Sequence, residues 1–390
     1  MVAGLDAFRR VRRDSGMLWA STVAVDRLTS VGLQRLWRGR RVPSDLLGRQ
    51  IAEVLARWGM MGDDAAIAVE KILYADLRGI DSHGSSMLPF YHRELVAGRL
   101  EMRPRIEIVR ENSSTALVDG GRGLGHVVAV RAMRIAIEKA RIAGIGAVAV
   151  RNSWHYGAAG AYARMAVDEG LLALATTSTP TPAVVPTRGI DPLLGTNPIA
   201  LAAPTRRNPP FLLDMATSTV SLGKLLERWR RGRSIPTGWG LGRDGRPSTN
   251  GWRAAASRRL TALGGEELHG GHKGYGLATA VEILSSILPG TRQPRPWDEM
   301  TRPEVGHFFL VADPARFRDD GGFADDLDGL IDALHGCRPA DPGRPVLVAG
   351  EPEEAILAER TRRGIPLPRA ALEDLRGVVL ASGAPFLLDA

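Results

Sequence analysis

The chain has 390 residues, too many for one simple core, so two or three packed lobes are expected. Apolar residues make up 44% and charged residues 24%, the balance of a soluble globular protein, and charges interrupt every apolar run before it reaches transmembrane length. The net charge of +8 invites nucleic acid, but the basic residues are scattered rather than massed, so neither nucleic acid nor membrane is expected as a partner.

Residues 1 to about 42 are arginine-rich and patternless, closing on "RLWRGRRVPS" like a linker. Their start loosely imitates an export signal, but Ser, Thr and Asp break its apolar part. Ser44 is placed to cap a helix, "DLLGRQIAEVLARWG", with apolar residues at helical spacing. A second helix follows from about Asp63, then the corner "GIDSHGSSM", then a third helical stretch through "YHRELVAGRL". "RIEIVRENSSTALVDGG" reads as two strands about a turn, and "VVAVRAMRIAIEKARIAG" as an amphipathic helix stopped by Gly144. Strand "IGAVAVRNS", helix "AAGAYARMAVDEG" and strands "LLALATTS", "PIALAAP" and "PFLLDMA" come next. A helix opening at Ser218 runs through "SLGKLLERWRRG", and a loop of roughly 35 residues, rich in Gly, Pro, Arg and Trp, follows it. The tail reads as helix "HKGYGLATAVEILSSIL", strand "GHFFLVAD", a helix near 323–335, strand "PVLVAG" and helix "EPEEAILAERTRR". The class is α/β with a mixed sheet.

Several stretches carry residues suited to chemistry. In "SHG" (82–84) a histidine occupies a corner between helices, either as a chemical group or as a turn residue. "DGGRGLGH" sits between strand and helix like a dinucleotide fingerprint, but the third glycine of G-x-G-x-x-G falls on His126. It is a tight glycine turn or a site where helix-terminus amides meet phosphate. His155, in "RNSWHYGAAGAYA", lies near a strand end, and Gly157, Ala158 and Ala159 either admit a flat ligand close to the backbone or serve helix packing. Asn197 binds an amide or hydroxyl, or closes a turn. Asp214 at a strand end holds a ribose hydroxyl, orients a histidine, or caps a helix. His272, Lys273 and Gly274 open a helix among glycines, an anion-attracting arrangement or a flexible entry turn. All but four of the 51 basic residues are arginine, so Lys71, Lys139, Lys224 and Lys273 stand out as places where a compact ammonium is kept, though drift also leaves a few. A single cysteine, Cys337, excludes a disulfide framework and a Cys-based zinc site and fits a reducing, cytoplasmic compartment. No metal-ligand spacing, G-x-S-x-G elbow or Walker A loop occurs.

Taken in order, "ADLRGIDSHGSSMLPFY", "DGGRGLGH", "VAVRNSWHYGAAGAYA", "PLLGTNPIALAAP", "LLDMATSTVSLGK", "GGHKGYGLA" and "VGHFFLVAD" resemble the type-2 malate/L-lactate dehydrogenase family, from about Val42 to about Leu367. That family includes ureidoglycolate and sulfolactate dehydrogenases and diketogulonate and piperideine-2-carboxylate reductases. The resemblance implies a non-Rossmann α/β fold of interleaved domains. Residues 1–42 would be a basic extension, 43–118 with 320–390 a helical substrate and dimerisation domain, and 119–319 a cofactor domain. It also implies a homodimer whose sites are shaped partly by the other subunit.

The implied reaction is hydride transfer between NAD or NADP and C2 of a small 2-hydroxy or 2-oxo acid. Ser82 and His83 match the family's Ser-His pair and His155 its second active-site histidine; either imidazole suits the acid/base step, with His155 preferred. Tyr91 matches a pocket tyrosine. Gly157, Ala158, Ala159, Asn197, Asp214, Met215, Ala216, Lys224, His272, Lys273, Gly274, Gly350 and Glu351 fall at cofactor positions. Two departures bear on substrate. Met87 replaces an arginine that grips the substrate carboxylate in many members, leaving Arg93 and Arg122 as candidates for that task. Ser178 and Thr179 stand near a substrate-contacting lysine of some members. A cyclic imine reductase on the same fold and a non-catalytic basic binding protein are the alternatives.

Overall fold

The computed structural model describes residues 39–179, 181–291 and 304–389. The basic extension expected before residue 43 lies almost wholly outside the described residues.

In chain order, strand β1 (Arg40–Val42) leads into α1 (Ser44–Arg57) and α2 (Gly62–Leu77); the corner that follows ends in α3 (Leu88–Val96). Ser44 is the first helical residue of α1 and makes no capping bond through its side chain, contrary to expectation. Then come β2 (Glu107–Glu111), β3 (Thr115–Gly123), α4 (Gly125–Ala143), β4 (Ile145–Ser153), α5 (Gly160–Val167), β5 (Leu172–Thr177), β6 (Ile199–Ala203) and β7 (Phe211–Met215). Gly144 closes α4 in the left-handed conformation, φ 84°, as its sequence position implied.

The helix expected from Ser218 begins later, as α6 (Leu222–Arg230), with the Ser221 hydroxyl accepting the Lys224 N–H. The long loop after it is built, not open. It contains α7 (Gly251–Ser257), and Ile235, Ala254, Ala255, Leu260 and Ala262 pack with Val184 and Leu225 into an apolar cluster of their own. α8 (Gly271–Glu282) continues as one π-helical turn (Ile283–Ile287), and β8 (Val305–Ala312), α9 (Phe323–His335) and α10 (Glu351–Arg363) follow. "PVLVAG" is not a strand: the Val348 N–H bonds the Glu351 carboxylate (2.8 Å) instead of a neighbouring strand. The C-terminal β9 (Ile365–Leu367) and α11 (Arg369–Ser382) escaped the sequence reading; β9 pairs antiparallel with β1, stitching the two ends of the described chain together.

The main sheet has seven strands in the order β2-β3-β4-β8-β5-β6-β7. Only β3 and β4 pair in parallel; every other neighbouring pair is antiparallel, so β3, β4, β5 and β7 point one way and β2, β8 and β6 the other. One apolar core lies between this sheet and α4 and α5, with Val128, Met133, Val148, Ala163, Ala173 and Phe309 at its centre. A second, around Leu47, Ile51, Leu55, Ile72, Leu88 and Val379, binds α1, α2, α3 and α11 together. Each such fully buried aliphatic side chain contributes about 1.5–3 kcal/mol. No helix among the described residues is long and apolar enough to cross a membrane.

This topology brings distant residues to one edge. Arg122 near the end of β3, His155 just past β4, Ser178 and Thr179 past β5, and Asp214–Ala216 closing β7 all stand at the carboxyl ends of the four co-directed strands. Crevices in open α/β sheets form at such edges.

Candidate active site

Two histidines meet at this edge. The rings of His83, from the corner between α2 and α3, and His155, from the end of β4, stack with centroids 5.5 Å apart. Each has Nδ1 engaged by a hydroxyl: Ser82 Oγ lies 2.8 Å from His83 Nδ1, and Tyr91 Oη 2.7 Å from His155 Nδ1. Nε2 of neither ring has a hydrogen-bond partner among the described residues, so one nitrogen of each is left for a ligand. Phe90 stands edge-on to His155 at 6.4 Å and stacks on Trp154, walling one side.

The backbone that presents His83 is held from beneath. The buried Asp76 carboxylate accepts the Ser85 N–H (2.8 Å) and lies so tightly against Gly84 that a Cβ there would overlap it. This explains the glycine of "SHG" physically. The "DGGRGLGH" turn has a packing role of the same kind: a Cβ at Gly125 would run into the carbonyls of Trp154 and His155, so the turn seats α4 directly against the His155 segment.

Burial pulls His83 below the ordinary histidine value. It pulls His155 well below, with charge on His83, His126 or His307 working the same way. Both rings are therefore neutral near pH 7 and able to accept a proton. Burial raises the Tyr91 phenol well above its usual range, so it stays protonated beside His155.

Beyond the histidines the edge becomes a seat of small residues. Gly157 has φ 76° and packs against His126; Ala158 and Ala159 are buried, and α5 starts immediately after them. The Gly160 N–H donates to Asp214 (2.7 Å), so this carboxylate tethers the start of α5 to the end of β7. Burial raises Asp214 to about 6, partly offset by that hydrogen bond. Asn197 is fully buried with φ 37°, and its amide nitrogen donates to the Ala278 carbonyl (3.0 Å) and Glu282 (2.8 Å). Its Oδ1 and the Thr179 hydroxyl, both buried and without hydrogen-bond partners among the described residues, converge on Gly195. Buried polar atoms left unpaired are costly and point to a missing hydrogen-bonding group. Gly274, early in α8, packs on Leu263, whose N–H bonds the Thr217 carbonyl (2.8 Å), which puts the start of α8 next to Ala216. His272 and Lys273 are exposed there.

The remaining sequence-predicted residues are placed as follows. Met87 is half-buried and packs into the helical core. Arg93 is exposed, with its guanidinium 5.8 Å from the Phe90 ring centroid and no carboxylate partner among the described residues. Arg122 donates to the Gly98 carbonyl (2.6 Å). The Ser178 hydroxyl accepts the Gly306 N–H (3.1 Å). Lys224 is exposed and 3.8 Å from Glu227. Gly350 packs on Leu212 of β7, while the Glu351 carboxylate bonds His335 (2.7 Å) and the Val348 N–H. Asp76, Asp81 and Phe90 lie in the stretch that carries His83, and His126 ends the glycine turn, yet none of the four has a role in the sequence expectations; Arg360 carries no local signal. No cluster of metal-ligating side chains occurs among the described residues.

With this geometry in hand, comparison with known proteins is decisive. The malate/L-lactate dehydrogenase family model matches residues 42–376. The chain belongs to that family. It is 41% identical over 354 residues to malate dehydrogenase of Pyrococcus horikoshii, covering 89% of this chain and 97% of that one. The structure of that enzyme superposes with a TM-score of 0.80 at 40% identity, again over 89% and 97% of the two chains. L-sulfolactate dehydrogenase of Methanocaldococcus jannaschii is 38% identical over 312 residues, 78% of this chain and 86% of the relative. The structure of Δ1-piperideine-2-carboxylate reductase from Pseudomonas syringae pvar. tomato matches with a TM-score of 0.74 at 28% identity, over 87% and 99%. The chain is thus an oxidoreductase of the 2-hydroxyacid dehydrogenase type, and its mixed, non-Rossmann sheet agrees with the broken glycine fingerprint.

Proposed function

We propose that this protein moves a hydride between NAD or NADP and C2 of a small 2-hydroxy or 2-oxo acid of the malate, lactate or sulfolactate kind, with His155 as the acid/base. The observation that carries the reading is the stacked pair of neutral imidazoles, each fixed through Nδ1 and free at Nε2, at the sheet edge. His155 is preferred over His83 because its hydroxyl partner, Tyr91, is fully buried, whereas Ser82 is exposed. In the oxidative direction the substrate hydroxyl gives its proton to His155 Nε2, while the Tyr91 hydroxyl holds Nδ1. In the reductive direction the protonated ring returns it to the carbonyl oxygen. His83, steadied by Ser82, hydrogen-bonds the same oxygen or the substrate carboxylate.

A bound nicotinamide supplies the hydride, or takes it up in the reverse direction. The residues suited to hold the cofactor are the Gly157–Ala159 turn, Asp214–Ala216, and His272 to Gly274 at the start of α8. Asn197 Oδ1 and Thr179 Oγ1, unpaired among the described residues, fit it further as acceptors for a ligand donor. Met87 offers a carboxylate nothing, so Arg93, one ring away from His155 across Phe90, is assigned the acid group of the substrate. The reading includes a homodimer, checked by light scattering.

Absorbance at the nicotinamide band tests the reading with malate, lactate, sulfolactate and their 2-oxo partners, each with NAD(H) and NADP(H). Turnover with at least one acid is expected; none with any of them overturns it. A second reading, reduction of a cyclic imine carboxylate, is favoured by the apolar Met87. It prevails if the imine is turned over and the keto acids are not.

A further inference from the structure

The corner that presents His83 is tied to a helix distant in sequence. Arg360, on α10, is 8% exposed. Its Nη1 donates to the Asp76 carbonyl (2.5 Å) and to Asp81 Oδ1, and its Nη2 to Asp81 Oδ2 (3.2 Å). This forked grip on a carboxylate fixes orientation as well as distance. Asp81 immediately precedes Ser82 and His83, and its carbonyl accepts the Ser86 hydroxyl (2.5 Å). One turn earlier on α10, Ile356 packs on Gly79 at the start of the corner. Earlier still, Glu354 Oε1 accepts from Arg78 (3.2 Å) at the end of α2 and from Arg164 (3.0 Å) on α5. At the head of α10, Gly350 rests on Leu212, and the Leu212 N–H bonds the Ala349 carbonyl (3.1 Å). Leu212 belongs to β7, two residues before Asp214. One helix thus touches the strand that ends in the expected cofactor seat, the helix that starts beside it, and the loop that carries His83.

We propose that α10 is a positioning strut: Arg360, acting through Asp81, sets His83 in register with His155, and the seating of α10 on β7 carries the placement of the cofactor site to that corner. The inference rests on the reading that His83 and His155 face the substrate. Arg360 itself touches neither substrate nor cofactor. Displacement of a reacting group by about 1 Å costs on the order of 100-fold in rate.

The test is steady-state kinetics on the whole enzyme with the best substrate found, beside direct measurement of cofactor binding by fluorescence. Arg360→Met is expected to lower kcat by about 10- to 100-fold, with cofactor Kd changed less than threefold. Arg360→Lys recovers part of the loss by restoring the charge without the fork. Asp81→Asn, at a carboxylate exposed enough to spare the fold, gives an intermediate loss and moves the acid limb of the kcat/KM pH profile. His83→Ala runs alongside. If His83→Ala keeps full activity, the underlying reading of the site fails. If His83→Ala is impaired while Asp81→Asn and Arg360→Lys match the parent in kcat and pH profile, the strut fails and the site stands. Should Arg360→Met not fold, the Asp81→Asn and Arg360→Lys pair decides alone.

Discussion

Four buried or half-buried histidines stand within a few side chains of one another, and they divide into two kinds. His307, on the central strand β8, is fully buried with both nitrogens satisfied: Thr177 Oγ1 at 2.7 Å from Nδ1 and Ser153 Oγ at 2.8 Å from Nε2. Its ring stacks on Tyr156 with centroids 4.6 Å apart and planes within 3°. His126, also fully buried, has neither nitrogen partnered among the described residues and packs under Gly157 and edge-on to Tyr91. Burial drives both down to about 3. His83 and His155 share the direction of that shift but reach the sheet edge, with one nitrogen fixed and one free. A depressed histidine therefore does not identify a catalytic one. Access and half-satisfaction do.

The largest expected effect breaks the pairing of these two kinds. His155→Ala lowers kcat/KM by about 10²- to 10⁴-fold, as loss of an acid/base does, and costs about 1–3 kcal/mol of stability as well, because the buried Tyr91 hydroxyl loses its partner. His307→Ala separates the two effects: two buried hydroxyls lose one partner each, stability falls by up to about 1–3 kcal/mol, and the folded fraction keeps its kcat. Kinetics and calorimetry on the two variants check this together; equal kinetic damage from both erases the distinction.

Next in size is the acid-binding side. Arg93→Met raises KM for a 2-oxo acid by about tenfold with kcat nearly preserved, the sign of an interaction made equally in ground and transition states. Adding Met87→Arg to that variant restores part of the affinity. No change in KM in either variant removes Arg93 from the site.

The smallest effect is a slope. His126 and His307 bind protons in the unfolded chain near pH 6.5 but in the folded chain only near pH 3, so their contribution to stability is lost as pH falls between those values. Asp76 and Asp214 act oppositely: burial lifts them from 3.8 to about 7 and about 6, so the folded chain holds protons the unfolded chain releases, and their contribution is lost as pH rises through those values. The two trends oppose each other between about pH 4 and 6.5. Asp76→Asn removes one opposing term, so its melting temperature should climb more steeply with pH across that range than the parent's. Parallel slopes would mean Asp76 ionises as an ordinary carboxyl.

What the chain reveals before folding is uneven. Strands β3 to β8 are legible because each is a short apolar run bounded by glycine, proline or a turn. "PVLVAG" has the same appearance and is no strand, because a side chain of the next helix takes its amide. The glycine-rich stretch after α6 hides a packed cluster, since its apolar residues are spaced by loop geometry and not by any period. His83 and His155 were readable from their surroundings, a polar corner and a strand end followed by small residues. Arg360 was not. It stands 279 residues from Asp81 in sequence, and only the packing of α10 against the corner brings them together.

The most direct measurement of the central claim is the pH dependence of kcat/KM for alcohol oxidation in the parent and in His155→Gln. The parent should lose rate along an acid limb whose midpoint lies below 6.5, as the imidazole that must accept the proton becomes charged, and the glutamine variant's residual rate should lack that limb. An acid limb that survives unchanged in His155→Gln would contradict the assignment.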